Sequence, residues 1–340
     1  MNYYPLIKPL LFQLDPEKVH YLTLKSLKVA HNLGLDNLLN PKMISQPVTV
    51  MGLEFQNPVG LAAGLDKNGD YIDALAALGF GFVEIGTVTP RSQPGNPKPR
   101  LFRLASHQAI INRMGFNNEG VDYLLQQVAA SKYKGILGIN IGKNFDTPIE
   151  KATEDYLISL RKAYLAASYI TINISSPNTK NLRQLQQGDE IKKLLSALKE
   201  EQQRLQVEHH KYTPIVVKIA PDLSDDEIQH IAGLLLEYAI DGVIATNTTI
   251  ERSAVQGHKF ADEIGGLSGM PVKQKSTYVV ANLAKELKGE VPIIAAGGIM
   301  NYSDAQEKLD AGASLVQVYS GLIYQGPQLV HDIMQGMTEK

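Results

Sequence analysis

The chain has 340 residues, 44% hydrophobic and 20% charged, with a formal net charge of -2, 28 glycines, 17 prolines and no cysteine or tryptophan. That mixture excludes collagen-like, low-complexity and disordered chains, and the near-zero charge speaks against a nucleic-acid partner. The missing cysteine removes disulfides, Cys-ligated zinc, iron–sulfur clusters and thiol nucleophiles, and the length suits two domains or one large α/β barrel with additions.

The chain opens on a dense apolar patch, Tyr3, Tyr4, Leu6, Ile7, Leu10, Leu11, Phe12 and Leu14, broken by Pro5 and Pro9. It lacks a basic leader and a small-residue cleavage site, and no stretch reaches the roughly 18 apolar residues of a membrane span. Asp15 with Pro16 behind it reads as an N-cap and first helical residue, and Gly34 as the stop. Residues 1–40 are therefore expected to form two short amphipathic helices. They could cap the main domain, or serve a membrane surface or a lipophilic substrate.

After a proline-punctuated stretch, residues 40–58, eight apolar β-branched runs alternate with helical segments. The runs are residues 58–64, 80–88, 135–142, 169–175, 214–220, 242–247, 291–297 and 314–319. Each reads as a parallel strand covered on both faces. Helix signals fill the gaps, such as Ser224 to Glu227 ahead of Ile228 and Ile231, or Asp189 ahead of Leu194 and Leu198. Eight such units favour a (β/α)8 TIM barrel, and the absence of GxGxxG after the first strand weighs against a dinucleotide-binding sheet. Residues 89–116 and 250–269 are longer than plain connections, and residues 176–188 are polar and end on glycine; all three are expected to be lids or substrate-covering loops.

In a barrel the carboxyl ends of the strands face the active site. Lys218 stands inside an apolar strand, so its ammonium must be paired or used. Its expected neighbours are neutral amides and hydroxyls, which favours an anionic or electron-rich ligand over a buried ion pair. Asn140, Asn173 and Asn247 at strand ends, with Asn178 and Asn112 near them, offer a ring of donors and acceptors for a flat polar ligand. Gly297 and Gly298, with Ser320 and Gly321, match the phosphate site that barrels build from their last two loops. No carboxylate or histidine sits at a strand end with acid–base geometry, Asp66 being the nearest. A base would then be Ser175 or Ser176, either of which could instead cap a turn. A Schiff-base aldolase using Lys218 is the alternative chemistry.

Longer motifs run through the whole chain in order. They include Ala62 to Lys67, Glu84 to Pro90, Asn112 to Asn118, Asn140 to Lys143, Asn173 to Asn178 and Val217 to Leu223. Asn247 to Thr249, Gly265 to Gly269 and Tyr319 to Gly321 continue the series. Together they closely resemble the quinone-dependent (class 2) dihydroorotate dehydrogenases of bacterial type. The resemblance implies an FMN enzyme of pyrimidine synthesis that oxidises dihydroorotate to orotate and passes electrons to a membrane quinone.

By position, the resemblance makes Ser176 the base. Lys67, Asn112, Arg113, Met114, Gly115, Phe116, Asn173, Asn178, Asn247 and Thr248 become substrate-binding residues. Ala63, Gly64, Lys67, Thr87, Asn140, Asn173, Lys218, Thr246, Gly269, Gly298, Tyr319 and Ser320 fall to the cofactor. His20, Arg103 and Tyr319 fall to the quinone. Met270 departs from the Arg common in bacterial relatives. Residues 1–40 become a quinone entrance touching the cytoplasmic face of the inner membrane, and residues 41–340 the FMN-binding barrel. Removal of residues 1–39 is expected to spare substrate oxidation. Neither a metal nor an obligate partner subunit is expected; class 1 relatives use a cysteine base or an iron–sulfur partner, and this chain has no cysteine.

Overall fold

A computed structural model describes residues 4–36, 43–179, 181–186 and 188–339. Helices α1 (Tyr4–Leu11) and α2 (Pro16–Asn32) come first. Asp15 caps α2 by accepting from the Lys18 amide at 2.9 Å, and Gly34 leaves the helix in the left-handed conformation that glycine tolerates. Among the described residues no helix is long and apolar enough to cross a membrane. The expected boundary at residue 40 lies outside the described residues.

Residues 48–55, read from sequence as part of an irregular stretch, instead form a hairpin of β1 (Val48–Val50) and β2 (Leu53–Phe55), turning at Met51 and Gly52. The eight predicted runs are the eight strands of a closed parallel barrel. They are β3 (Val59–Leu61), β4 (Phe82–Val88), β7 (Ile136–Ile141), β8 (Tyr169–Asn173), β9 (Ile215–Ile219), β10 (Gly242–Ala245), β12 (Ile293–Ala296) and β13 (Leu315–Val318). Helices follow the strands, the longest being Gly188–His209 after β8. The Ser224 reading holds: its side chain and that of Glu227 form a reciprocal capping box on helix Asp225–Glu237.

The barrel interior is filled in layers. At its amino end Phe82, Tyr169, Val216, Ile244, Ile294 and Leu315 pack with Val50 and Phe55 of the hairpin, which closes that end. Phe55 and Phe82 meet edge to face at 5.0 Å between ring centroids. Gly60 faces this layer because a Cβ there would lie 2.2 Å from the Phe82 ring. The next inward positions, Glu84, Asn140, Thr171, Lys218 and Gln317, are polar and buried.

Two of the expected covering loops are more ordered than their composition suggests. Within 89–116 lie β5 (Leu101–Leu104) and β6 (Ala109–Asn112); within 250–269 lies β11 (Gly266–Gly269). They form one antiparallel sheet in the order β11, β6, β5, with Gly266 opposite Asn112. A Cβ on Gly266 would strike the Thr248 hydroxyl at 1.9 Å, so glycine lets this sheet lie directly on the loop after β10.

Candidate active site

An open cleft lies at the carboxyl end of the barrel under this sheet. Of the predicted residues, Ala63, Gly64, Lys67, Thr87, Asn112, Met114, Gly115, Phe116, Asn173 and Ser176 line it. So do Asn178, Lys218, Thr246, Asn247, Thr248, Gly269, Gly298, Tyr319 and Ser320.

A continuous hydrogen-bonded network supports its floor. Buried Glu84 accepts from Asn140 Nδ2 at 2.8 Å, Tyr169 OH at 2.9 Å, Gln317 Nε2 at 2.8 Å and Thr171 Oγ1 at 3.2 Å. Asn140 Oδ1 accepts from Thr87 Oγ1 at 2.6 Å, and Thr87 Oγ1 accepts from Asn173 Nδ2 at 3.0 Å. Asn173 Oδ1 in turn accepts from Ser175 Oγ at 3.2 Å, and Asn247 Nδ2 donates to Ser175 Oγ at 3.0 Å. Fixed amides of this kind present donors and acceptors without reorganising when a ligand arrives.

Lys218 therefore does not face neutral neighbours alone, as its sequence context suggested. Desolvation pushes its ammonium down, and the negative charge of Glu84 opposes that shift. It makes no hydrogen bond among the described residues, which leaves its protons for a ligand.

The two serine candidates separate. Ser175 is fully buried and saturated by the network, with Oγ tied to Asn173 and Asn247. Ser176 lines the cleft, and its Oγ accepts from the Asn178 amide at 3.2 Å. Asn178 Nδ2 also donates to Asn112 Oδ1 at 3.1 Å, joining the loop after β8 to the roof.

Lys67 Nζ donates to the Gly64 carbonyl at 2.8 Å. Desolvation, then the Arg100 charge, lower its pKa to about 8, against the pull of Glu17 and Asp66. Asp66 accepts from the amides of Gly69, Asp70 and Tyr71 at 2.8–3.0 Å and thereby pins the loop that carries Lys67. Burial raises its carboxyl to about 6 despite those bonds.

Several predicted residues stand elsewhere. Asn140 lies behind Thr87 and is not among the residues lining the cleft. Arg113 turns outward, donating to Glu263 Oε2 at 2.6 Å with its guanidinium 4.6 Å from the Phe102 ring centroid. Arg103 reaches the Leu11 carbonyl at 3.1 Å and the Leu14 carbonyl, and stacks on Phe12, so it belongs to the junction of α1 with the barrel. Desolvation and the Lys67 charge hold His20 down to about 3, so it is a neutral imidazole beside Lys67. Met270 begins a short 3-10 turn, its amide bonded to the Gln108 carbonyl at 3.2 Å.

Sequence reasoning gave no site role to Gln317 and Ser268 on the cleft wall or to Glu84 beneath it, the last two lying inside motifs it had noted. A period-two reading of β4 and β13 finds Glu84 and Gln317, since both alternate with core residues.

The cleft fits a phosphorylated flavin. Gln317 Oε1 and Thr248 Oγ1 are buried without partners among the described residues, Lys218 is free to donate, and one end is built of glycine. A Cβ on Gly298 would lie 2.4 Å from Lys273 Cβ, and one on Gly269 2.1 Å from the Gln108 carbonyl oxygen. Glycine is thus required there by the packing of the cleft wall, and both glycines line the cleft beside the paired hydroxyls of Ser268 and Ser320 at 2.8 Å. A lowered amine would also suit a Schiff base, but nothing in the relationships below supports an aldolase.

The family described as dihydroorotate dehydrogenase matches residues 45–340. A dihydroorotate dehydrogenase (quinone) of Chromobacterium violaceum is 65% identical over 336 residues, covering 99% of this chain and 98% of its own. One of Nitrosospira multiformis is 62% identical over 332 residues, covering 98% and 95%. A crystal structure of DHODH in complex with ferulenol from Eimeria tenella superposes with a TM-score of 0.87 at 39% identity, covering 96% of this chain and 91% of that one. With the cleft, the barrel and these relationships in agreement, the chain belongs to the dihydroorotate dehydrogenase family.

Proposed function

We propose that Ser176 is the base of this enzyme and that the cleft divides into a substrate half under the roof and a cofactor half over the barrel. The reaction is the oxidation of dihydroorotate to orotate in pyrimidine biosynthesis, with FMN as cofactor and a quinone as electron acceptor. When bound, FMN supplies the acceptor for the hydride that leaves substrate C6. Ser176 Oγ takes the C5 proton as its own hydroxyl proton is passed on out of the pocket. Lys67 pairs with the substrate carboxylate, while Asn112, Asn173, Asn178, Asn247 and Thr248 hold the ring amides. Met114, Gly115 and Phe116 exclude water, which a hydroxyl base requires. On the cofactor side Ala63, Gly64, Thr87, Lys218 and Thr246 would hold the ring, and Gly269, Gly298, Tyr319 and Ser320 the phosphate. Lys218 would also supply a cation that favours electron acceptance by a bound flavin.

The observation that carries this reading is the placement of Ser176 on the cleft wall while Ser175 is consumed by the network. The test is an anaerobic absorption spectrum of purified protein before and after dihydroorotate. Bleaching of bound flavin is expected, and folded, flavin-loaded protein that does not bleach refutes the reading.

Helices α1 and α2 expose Leu6, Ile7, Leu10, Leu22 and Val29, with Leu14 between them and Leu33 just beyond, and this apolar surface supports peripheral attachment at the cytoplasmic face of the inner membrane. In this reading residues 1–40 form the quinone entrance near His20, Arg103 and Tyr319, residues 41–340 form the catalytic unit, and no electron-carrying partner subunit is needed. Flotation with anionic phospholipid vesicles tests it: Leu10→Glu is expected to weaken binding, and unchanged flotation overturns the attachment surface.

A further inference from the structure

Glu17 sits on α2, yet its carboxylate is turned away from the exposed apolar face. It is buried and paired with Arg100, Nη2 to Oε1 at 2.8 Å and Nε to Oε2 at 3.2 Å, with Lys98 Nζ at 3.3 Å. Arg100 is equally buried, and its remaining Nη1 donates to the Pro94 carbonyl at 2.7 Å and the Asn96 carbonyl at 2.9 Å. Asn96 then bridges the substrate half of the cleft from behind. Its Nδ2 donates to the Arg113 carbonyl at 2.9 Å and the Asn178 carbonyl at 3.3 Å, and its amide to the Met114 carbonyl at 3.1 Å. Gly115 has no room for a Cβ, which would meet Asn96 Cγ at 2.8 Å.

We infer that Glu17 is a positioning residue for the dihydroorotate pocket: through Arg100 and Asn96 it holds the loop after β6 and the loop after β8 at one spacing. The inference rests on the substrate-pocket reading given above. A buried guanidinium needs a counter-charge, and Glu17 supplies it. Without it Arg100 stands as an uncompensated cation on the side of Lys67 and must turn to water or another acceptor, releasing the Pro94 and Asn96 carbonyls. The helix of the quinone-side extension thus contributes to the opposite half of the reaction. This departs from the expectation that removing residues 1–39 spares substrate oxidation.

The test is orotate binding to the flavin-loaded full-length protein, followed by the change in flavin absorbance. Glu17→Gln is expected to weaken orotate about tenfold. Asn96→Ala, which leaves the ion pair intact, is expected to do the same while leaving the quinone KM within twofold of wild type. The double variant is expected to be no weaker than the weaker single, because both act through one chain of contacts. An orotate Kd within twofold of wild type in Glu17→Gln, even with a lowered Tm, overturns the inference, as do additive losses in the double variant. Should Glu17→Gln fail to fold, a wild-type Kd in Asn96→Ala overturns it alone. A wild-type protein that shows no orotate-induced change overturns the pocket reading itself, a failure distinct from unchanged variants.

Discussion

Arg183 Nε donates to the carbonyl of Ser175 at 3.0 Å, one residue before Ser176. The same guanidinium donates to the Thr248 carbonyl at 2.8 Å and to Asp222 Oδ2 at 2.8 Å, so one side chain ties the loops after β8, β9 and β10. Asp222 is held in turn by Lys275 at 2.9 Å, by the Ile250 amide at 3.0 Å and by the Thr249 hydroxyl. Arg183→Lys keeps the charge but cannot reach three acceptors in one plane. Flavin reduction should slow by about 10- to 100-fold, the scale of a small misplacement of a reacting group. Stopped-flow reduction by dihydroorotate, beside an orotate Kd near wild type, checks this.

Ser176→Ala should bind orotate and lose roughly 10²- to 10⁴-fold in flavin reduction at neutral pH, the usual contribution of a positioned base. Partial recovery at high pH is expected as hydroxide substitutes. Ser175→Ala should instead lower stability by about 1 kcal/mol through its lost hydrogen bonds and retain most of the rate. Reversed phenotypes would reassign the base.

The depressed Lys67 pKa gives a pH dependence with a definite sign. The substrate carboxylate pairs with the ammonium form, which is populated below about 8 and lost as pH rises through it. A bound anion raises that pKa, so the orotate Kd should climb by up to about tenfold per pH unit above 8 until the pKa of the complex is passed. Isothermal binding at pH 6 to 10 measures the slope, and Lys67→Ala should flatten it.

Glu84→Gln replaces an acceptor of four donated hydrogen bonds by an amide that must point two donors at some of them. It also removes the charge that opposes the desolvation of Lys218. A loss of about 3–5 kcal/mol in stability is expected, as for other broken buried charge networks, measured by urea unfolding of the holoprotein. A loss below about 1 kcal/mol would show that the network relaxes around the amide.

Gly298→Ala places a methyl against the start of helix Lys273–Leu287, at a residue whose φ is +76°. Colourless or weakly flavinated protein is expected, with FMN affinity reduced at least about tenfold by the strain at a positive-φ position and the shifted backbone. Flavin release on ultrafiltration reads this out.

The eight barrel strands were legible because a parallel strand buried on both faces writes an unbroken apolar run. The N-cap at Asp15 and the capping box at Ser224 were legible because their chemistry is local. The hairpin at residues 48–55 and the roof strands were not, since they lie in polar, proline- and glycine-rich stretches without an unbroken apolar run, and β11 takes its order only from pairing with β6 far away in the chain. Motifs pointed to Ser176, and the structure supplied the reason to prefer it to Ser175, a neighbour of the same type. Glu84 opens one of the motifs but was given no role there, although it anchors the floor that the asparagines share. Glu17 escaped because its significance depends on Arg100, 83 residues away.

The roof sheet fastens an insertion after the second barrel strand to one after the sixth; Ser268 Oγ reaches the Ile110 carbonyl across 158 residues of sequence. A chain synthesised only as far as helix Gly188–His209 holds the β5–β6 hairpin with a bare edge at β6. That edge is satisfied only when residues 266–269 emerge and dock. A truncated chain lacking the last third also lacks Gly269, Gly298 and Ser320 of the cleft, and it is expected to stay colourless however well its first half has folded.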